Sequence, residues 1–156
     1  MSNTFHYFAF GSNLLNQRIT LSNKSAKFIG IGKLSKHRLD FVGNSNRWKG
    51  GVATIVEDDK NDVLGCIWEM SKDDSDSLDR QEGYDQNPRI YGRKEVEIEK
   101  LDNNSRIRCR TYYNLAWSDD YKKPSLAYLK IIREGAKENN FPVFYQTFLN
   151  SIVWGY

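Results

Sequence analysis

Strand-like runs fill most of the chain up to residue 115, and helical periodicity takes over only after Pro124. Each run is short, apolar or alternating, and bounded by turn residues, which is the pattern of β-strands. Seven such runs occur, at 6–10, 27–34, 37–43, 51–59, 62–70, 92–100 and 106–115. An acidic turn separates the fourth run from the fifth, so we expect these two to form a hairpin.

Capping signals predict one helix in the middle of the chain and two at its end. Ser71 is followed by acidic residues and later by Gly83, which are typical start and stop signals of a helix. The helix after Pro124 carries apolar residues at helical spacing, namely Leu126, Leu129, Ile132 and Ala136. Pro142 can begin the last helix, whose apolar residues Phe144, Phe148 and Ile152 lie four apart.

These elements predict an α+β fold. It should contain a curled mixed or antiparallel sheet, or a small barrel, of about seven strands with flanking helices, two of them C-terminal. The chain of 156 residues has no repeat or linker, so residues 1–156 are expected to form one domain.

Composition argues against several classes of partner. The 23 Lys and Arg residues against 20 Asp and Glu are scattered, and Arg106, Arg108 and Arg110 alternate on what is expected to be a solvated strand face. We therefore expect no nucleic-acid partner. No apolar run is long enough for a membrane span, and the N-terminus lacks the basic region of a secretory signal.

The few cysteines and histidines indicate an intracellular protein without a metal. Cys66 and Cys109 lie in strand-like runs and are expected to be buried, reduced thiols of a cytoplasmic protein. Together with His6 and His37, they show no metal-ligand spacing, so no metal site is predicted.

The loop Gly11-Ser12-Asn13 lies between the first strand and a short helix. Glycine permits a sharp turn and a close approach of a ligand, and consecutive N–H groups at a helix start attract anions. The loop matches neither phosphate-binding motif, so a small anion such as one carboxylate is the better fit. An ordinary turn with a helix cap remains the alternative.

Glu82 lies in the last turn of the helix that Ser71 begins. The negative pole of the helix dipole and burial near Tyr84 or Tyr91 should both raise the pKa of this carboxyl. Such a carboxyl suits general acid–base catalysis near neutral pH. A solvated glutamate at a helix end is the alternative.

Tyrosine is abundant, with nine residues. Several of the hydroxyls could line one cavity, although packing in the core and at its rim is the alternative. The candidates are Tyr7, Tyr84, Tyr91, Tyr112, Tyr113 and Tyr128.

Taken together, these residues resemble the γ-glutamylcyclotransferase family. The matching stretches occur in the family's order and cover nearly the whole chain. They are YFAFGSNL (7–14), WKGGVATI (48–55), LDRQEGY (78–84), CRTYY (109–113) and YLKIIREGAKENNFPVFYQTFL (128–149).

The resemblance implies a cofactor-independent enzyme that cleaves small γ-glutamyl substrates. In such an enzyme the substrate's own α-amine attacks the γ-carbonyl, which releases 5-oxoproline and a free amino acid. The resemblance makes Glu82 the catalytic acid–base residue. The substrate-binding candidates are Tyr7, Phe10, Gly11, Ser12, Asn13, Leu14, Tyr91, Tyr112 and Tyr128. It is also compatible with a homodimer.

Two alternatives share the same fold. A γ-glutamylamine cyclotransferase would release an amine, but the GAKEN sequence at 135–139 favours the first assignment. A non-catalytic binding module is suggested by Phe10, because the family loop usually has tyrosine there. The intact Glu82 argues against it.

Overall fold

A computed structural model describes residues 3–84, 91–115 and 122–155 of the chain. Within these residues the fold is α+β, as predicted, and its five strands close into a barrel in the order β1-β3-β2-β4-β5. The strands are β1 (Thr4–Ala9), β2 (Lys27–Ser45), β3 (Gly50–Ser71), β4 (Tyr91–Lys100) and β5 (Arg106–Asn114). Neighbouring strands are antiparallel, except that β1 and β5 close the barrel as a parallel pair.

Two of the described helices lie between strands, and two follow the last strand. They are α1 (Asn16–Ser22), α2 (Ser75–Gln81), α3 (Leu126–Glu138) and α4 (Val143–Asn150), and 3-10 turns precede α1 and α2 at Ser12–Leu14 and Lys72–Asp74. Ser71 accepts a hydrogen bond from the N–H of Asp73, so it caps the segment as predicted. None of the described helices is long and apolar enough to cross a membrane.

The number of strands is five rather than about seven, because two pairs of predicted strands are continuous. The runs 27–34 and 37–43 form one strand, β2, and both halves of β3 pair with it. The predicted hairpin between 51–59 and 62–70 is therefore wrong. Ser35 pairs with Asp62 and His37 with Glu57, which leaves residues 58–61 opposite Lys36 alone. Such bulges bend long strands, and bending is needed to close a barrel.

Two apolar clusters stabilise the fold. The first cluster fills the interior of the barrel, and all of its buried members lie on strands. They are Phe8, Leu34, Ile55, Val63, Ile67, Ile98 and Cys109. The second joins the sheet to the helices and includes Trp68, Leu129 and Ile132. Cys66 and Cys109 are buried free thiols, as predicted.

The two C-terminal helices are confirmed, with one difference in how α4 is oriented. Ser125 caps α3 by accepting a hydrogen bond from the N–H of Tyr128. In α4 the buried side chains are Tyr145 and Leu149, whereas Phe144 is 68% exposed and Phe148 is 42% exposed. The two phenylalanines, which lie four residues apart, are therefore on the outer face of α4. Tyr145 and Leu149, which are also four apart, face the core.

Candidate active site

The loop after β1 is held close to β3 and α3. A Cβ atom on Gly11 would lie 3.2 Å from the Cβ of Ala53 and 3.2 Å from the hydroxyl of Tyr128, so a side chain here would crowd both neighbours. The N–H of Leu14 donates to the carbonyl of Gly11 at 3.0 Å, which forms the 3-10 turn. The first-turn N–H groups of Ser12 and Asn13 donate to no acceptor in the part of the chain that the structure describes.

A cavity of about 60 Å³ lies between this loop and the end of α2. Its lining brings together all but one of the catalytic and substrate-binding candidates that the family resemblance implies. The described lining residues are Tyr7, Phe10, Gly11, Ser12, Asn13, Ala53, Glu82, Tyr91, Tyr112 and Tyr128. Leu14 is instead fully buried in the apolar cluster beneath the helices.

Glu82 follows the last residue of α2, and one of its carboxylate oxygens accepts hydrogen bonds from other side chains. Its Oε1 accepts a hydrogen bond from the hydroxyl of Tyr7 and a longer one, of 3.4 Å, from Asn13 Nδ2. Oε2 accepts none from the described residues, so it is available to a bound molecule. Gly83, with φ at 73°, ends the helix immediately afterwards, as its position in the sequence predicted.

Burial raises the pKa of the Glu82 carboxyl above its usual value. The negative charge of Asp79 acts in the same direction, while the hydrogen bonds from Tyr7 and Asn13 oppose the rise. The direction agrees with the prediction, which named burial near Tyr84 or Tyr91 and the helix dipole. Tyr91 lines the same cavity as Glu82, Tyr84 does not, and Tyr7 is the tyrosine that forms a hydrogen bond with the carboxylate. Burial and the Glu82 charge also raise the pKa of Tyr7, which keeps its hydroxyl protonated.

We expect Glu82→Gln to stabilise the protein at neutral and alkaline pH. A carboxyl whose pKa is raised by folding binds its proton more tightly when folded, so the stability of the wild type falls as pH rises from about 4.3 through the raised pKa. Glutamine carries no charge and avoids this loss. We expect its Tm at pH 8 to exceed that of the wild type by about 2 °C or more, and the gain to disappear below pH 4. Thermal melts across this range would contradict the prediction if the difference did not depend on pH.

A chain of amides fixes the orientation of Asn13. Gln81 Nε2 donates to Asn13 Oδ1 at 2.9 Å, and Asn23 Nδ2 donates to Gln81 Oε1 at 2.6 Å. The amide nitrogen of Asn13 is thereby directed to Tyr7 and Glu82. Trp68 Nε1 also donates to the backbone carbonyl of Asn13 at 3.0 Å. The loop and the carboxylate consequently share one hydrogen-bond network.

Two further tyrosine hydroxyls in the cavity have different partners. The hydroxyl of Tyr112 donates to Asp79 Oδ1 at 2.5 Å, and Arg93 pairs with the other oxygen of that carboxylate at 2.8 Å. The hydroxyl of Tyr128 accepts from the N–H of Ala53 at 2.9 Å. Burial raises the pKa of both tyrosines. Tyr128 therefore keeps its proton and can donate it to a ligand, whereas the Tyr112 proton is already engaged.

Residues of α3 and its C-terminal end brace the loop from behind. Asn139 Nδ2 donates to the carbonyl of Leu14 at 2.8 Å, and Glu138 Oε2 accepts from the N–H of Asn16 at 3.0 Å. A Cβ on Gly135 would lie only 2.5 Å from the Cβ of Leu14, so the helix backbone packs directly on the loop. These three residues belong to the GAKEN sequence, which thus has a structural role in positioning the loop.

Several residues that shape the candidate site were not identified from the sequence. Ala53, Gln81 and Asp79 all lie inside stretches that the family resemblance had singled out, but their roles depend on contacts across the fold. The candidates Tyr84 and Tyr113 do not line the cavity. No group of three potential metal ligands occurs within residues 3–84, 91–115 and 122–155.

Comparison with known proteins defines first a broad class. Residues 62–149 match the AIG2-like family. The structure superposes on a solved γ-glutamyl cyclotransferase with a TM-score of 0.91 and 38% identity, over 97% of this chain and 89% of that one. An AIG2-like protein from Mus musculus shares the fold at a TM-score of 0.61, with 19% identity over 77% of this chain and 83% of that chain.

Curated relatives narrow the assignment. The γ-glutamylcyclotransferases of Bos taurus and Homo sapiens are each 42% identical to the chain over 154 residues, which is 96% of this chain and 79% of theirs. The chain belongs to the γ-glutamylcyclotransferase family, as its motifs predicted.

Proposed function

We propose that this protein is a γ-glutamylcyclotransferase, which converts γ-glutamyl amino acids into 5-oxoproline and a free amino acid without a cofactor. The observation that carries the proposal is the position of Glu82. Its carboxylate has one oxygen held by Tyr7 and the other available to a cavity lined by the Gly11-Ser12-Asn13 loop. Relatives of that name at 42% identity support it.

In the proposed reaction, Glu82 first accepts a proton from the α-ammonium group of the substrate. The neutral amine then attacks the γ-carbonyl carbon and closes a five-membered ring. As the tetrahedral intermediate collapses, Glu82 returns the proton to the departing nitrogen, and the C–N bond to the leaving amino acid breaks. The ring nitrogen gives up the second proton that it retains after the attack, and the released amine takes this proton and leaves as an ammonium group. One group performs both transfers, so its pKa must lie nearer to the working pH than that of an ordinary glutamate, and burial raises it in that direction.

The loop and Tyr128 are proposed to hold the glutamyl part of the substrate. The N–H groups of Ser12 and Asn13 can bind the α-carboxylate or the oxyanion that forms at the γ-carbonyl. The Tyr128 hydroxyl, which accepts from Ala53, has its own proton to donate. Holding the chain folded favours ring closure strongly, because oriented intramolecular attack reaches effective molarities of about 10⁵ M or more.

Phe10 is the observation that favours a second candidate, a binding module of the same fold. It lines the cavity without a hydroxyl, where the family loop usually has a tyrosine. Tyr7 supplies a hydroxyl to the same cavity from β1 and donates it to Glu82. A carboxylate placed beside an anionic substrate suits catalysis better than simple binding, so we favour the enzyme.

The deciding experiment measures 5-oxoproline release by the purified protein, without metal or nucleotide. We expect release from γ-glutamyl-alanine and little from ε-(γ-glutamyl)-lysine. Release from the lysine conjugate alone would assign the protein to the γ-glutamylamine cyclotransferases. Binding of γ-glutamyl-alanine without release would make it a binding module.

The cellular setting and the assembly are also proposals. We propose that the protein acts in the cytoplasm on a small molecule, without a nucleic-acid partner. Arg106 and Arg108 support the last point, since they pair with Glu97 and Glu95 at 3.5 and 2.7 Å. The homodimer that the resemblance allows is tested by sedimentation velocity on the purified chain.

A further inference from the structure

A second cavity, of about 330 Å³, opens from the catalytic cavity. The two share the residues at their junction, which are Ser12, Asn13, Ala53, Glu82, Tyr91 and Tyr128. A substrate whose glutamyl group fills the inner cavity therefore extends past Glu82 into the outer one. The outer cavity is thus placed to receive the group that leaves.

The outer cavity is positively charged. Arg18, Arg47 and Arg80 line it, and Glu82 is the one acidic residue among its described lining residues. None of these arginines forms an ion pair with a residue in the described part of the chain. Three guanidinium groups that have no ion-pair partner among the described residues surround one cavity and favour an anionic ligand.

Arg18 is the arginine best suited to contact that ligand. It lies on α1, where its Nε is buried and has no hydrogen-bond partner in the structure described. Its guanidinium carbon is 5.2 Å from the ring centroid of Trp48, and that of Arg47 is 5.6 Å from the same ring. Burial and the Arg47 charge lower the pKa of Arg18, which means that its surroundings oppose its charge. An anion would offset both effects, because it would accept the hydrogen bond that Nε does not make within the described structure and would counter the repulsion between the two guanidinium groups.

We propose, on the basis of the function proposed above, that the outer cavity binds the α-carboxylate of the leaving amino acid and that Arg18 is its main ligand. In a γ-glutamyl amino acid this carboxylate is one carbon from the scissile nitrogen, so it lies just beyond Glu82, where the outer cavity begins. The planar guanidinium group matches a carboxylate with two parallel hydrogen bonds. Arg18 is thus a residue that determines specificity for amino acids over simple amines.

A matched pair of substrates tests the proposal directly. γ-Glutamyl-alanine and γ-glutamyl-ethylamide differ only in the leaving group's carboxylate. We expect the wild type to favour the alanine substrate by about tenfold to a hundredfold in kcat/KM, as for loss of a charged hydrogen bond. Arg18→Met should abolish this preference, mainly by raising KM for γ-glutamyl-alanine, and should leave the ethylamide nearly unaffected. Arg106→Gln, which removes a charge 70% exposed on β5, is the control and should keep the preference.

The outcomes separate this inference from the proposed function. Equal turnover of both substrates by the wild type would overturn the inference and leave the cyclotransferase assignment intact. Turnover of neither would overturn both. If Arg18→Met fails to fold, the inference is tested instead by the salt dependence of the wild-type preference for γ-glutamyl-alanine. The preference should shrink as ionic strength rises, and a constant preference would contradict a role for charge.

Discussion

Replacing Glu82 by glutamine is expected to lower kcat/KM for γ-glutamyl-alanine by about 10² or more, the usual effect of losing general acid–base catalysis. Glutamine can still accept the hydrogen bond from Tyr7, but it cannot take a proton from the substrate. For the same reason, we expect wild-type kcat/KM to fall as pH drops below the pKa of Glu82, which burial raises. The measurement is 5-oxoproline release across a pH series.

Glu134→Gln is the matched control, because Glu134 is exposed on α3 and the substitution removes the same charge. We expect it to retain wild-type activity. Normal turnover by Glu82→Gln would show that another group moves the proton and would remove Glu82 from the mechanism. The higher Tm expected for this variant at neutral pH distinguishes lost chemistry from lost folding.

Gly135→Ala is expected to impair both activity and stability, although this residue does not line the catalytic cavity. The added methyl would lie 2.5 Å from the Cβ of Leu14, 2.6 Å from its carbonyl carbon and 2.7 Å from the nitrogen of Leu15. The loop must therefore shift. Overpacking costs about 1–3 kcal/mol, and contacts with backbone atoms below 3 Å place this case toward the upper end, above the roughly 1 kcal/mol that alanine gains over glycine in a helix. A displacement of about 1 Å can lower kcat/KM by about 10².

Gly155→Ala provides the control for the glycine replacement. The nearest atom to a Cβ there is 3.6 Å away, which is an ordinary contact, so neither Tm nor activity should change. If Gly135→Ala raised the Tm and left kcat/KM unchanged, the close packing of α3 on the loop would not position the site.

Local sequence patterns predicted the parts of the fold that local forces determine. The Ser71 cap, the Gly83 stop and the helix after Ser125 follow from hydrogen bonds and backbone preferences within a few residues. Local patterns did not predict that β2 and β3 are each continuous, since this depends on pairing between the two strands. Residues 58–61 have the composition of a turn, and only the register with β2 makes them a bulge.

In the candidate site, too, local sequence patterns predicted some residues, whereas their contacts depend on the fold. The loop could be identified because Gly11 and two polar residues follow the apolar first strand. Glu82 could be identified because it places a carboxylate at the negative end of a helix. The partner of Glu82, in contrast, is Tyr7, which lies 75 residues earlier in the chain. The outer cavity depends still more on the fold. Arg18, Arg47 and Arg80 come from α1, the β2–β3 turn and α2, and their proximity has no sequence signal.

The bracing of the loop by Asn139 also determines when the site can form during protein synthesis. The loop residue Leu14 leaves the ribosome well before Asn139, whose side chain holds its carbonyl and follows 125 residues later. The barrel strands precede α3 in the chain, so they can pair before this contact exists. A nascent chain that ends before α3 is thus expected to lack an ordered loop, and activity should appear only after Asn139 has been synthesised.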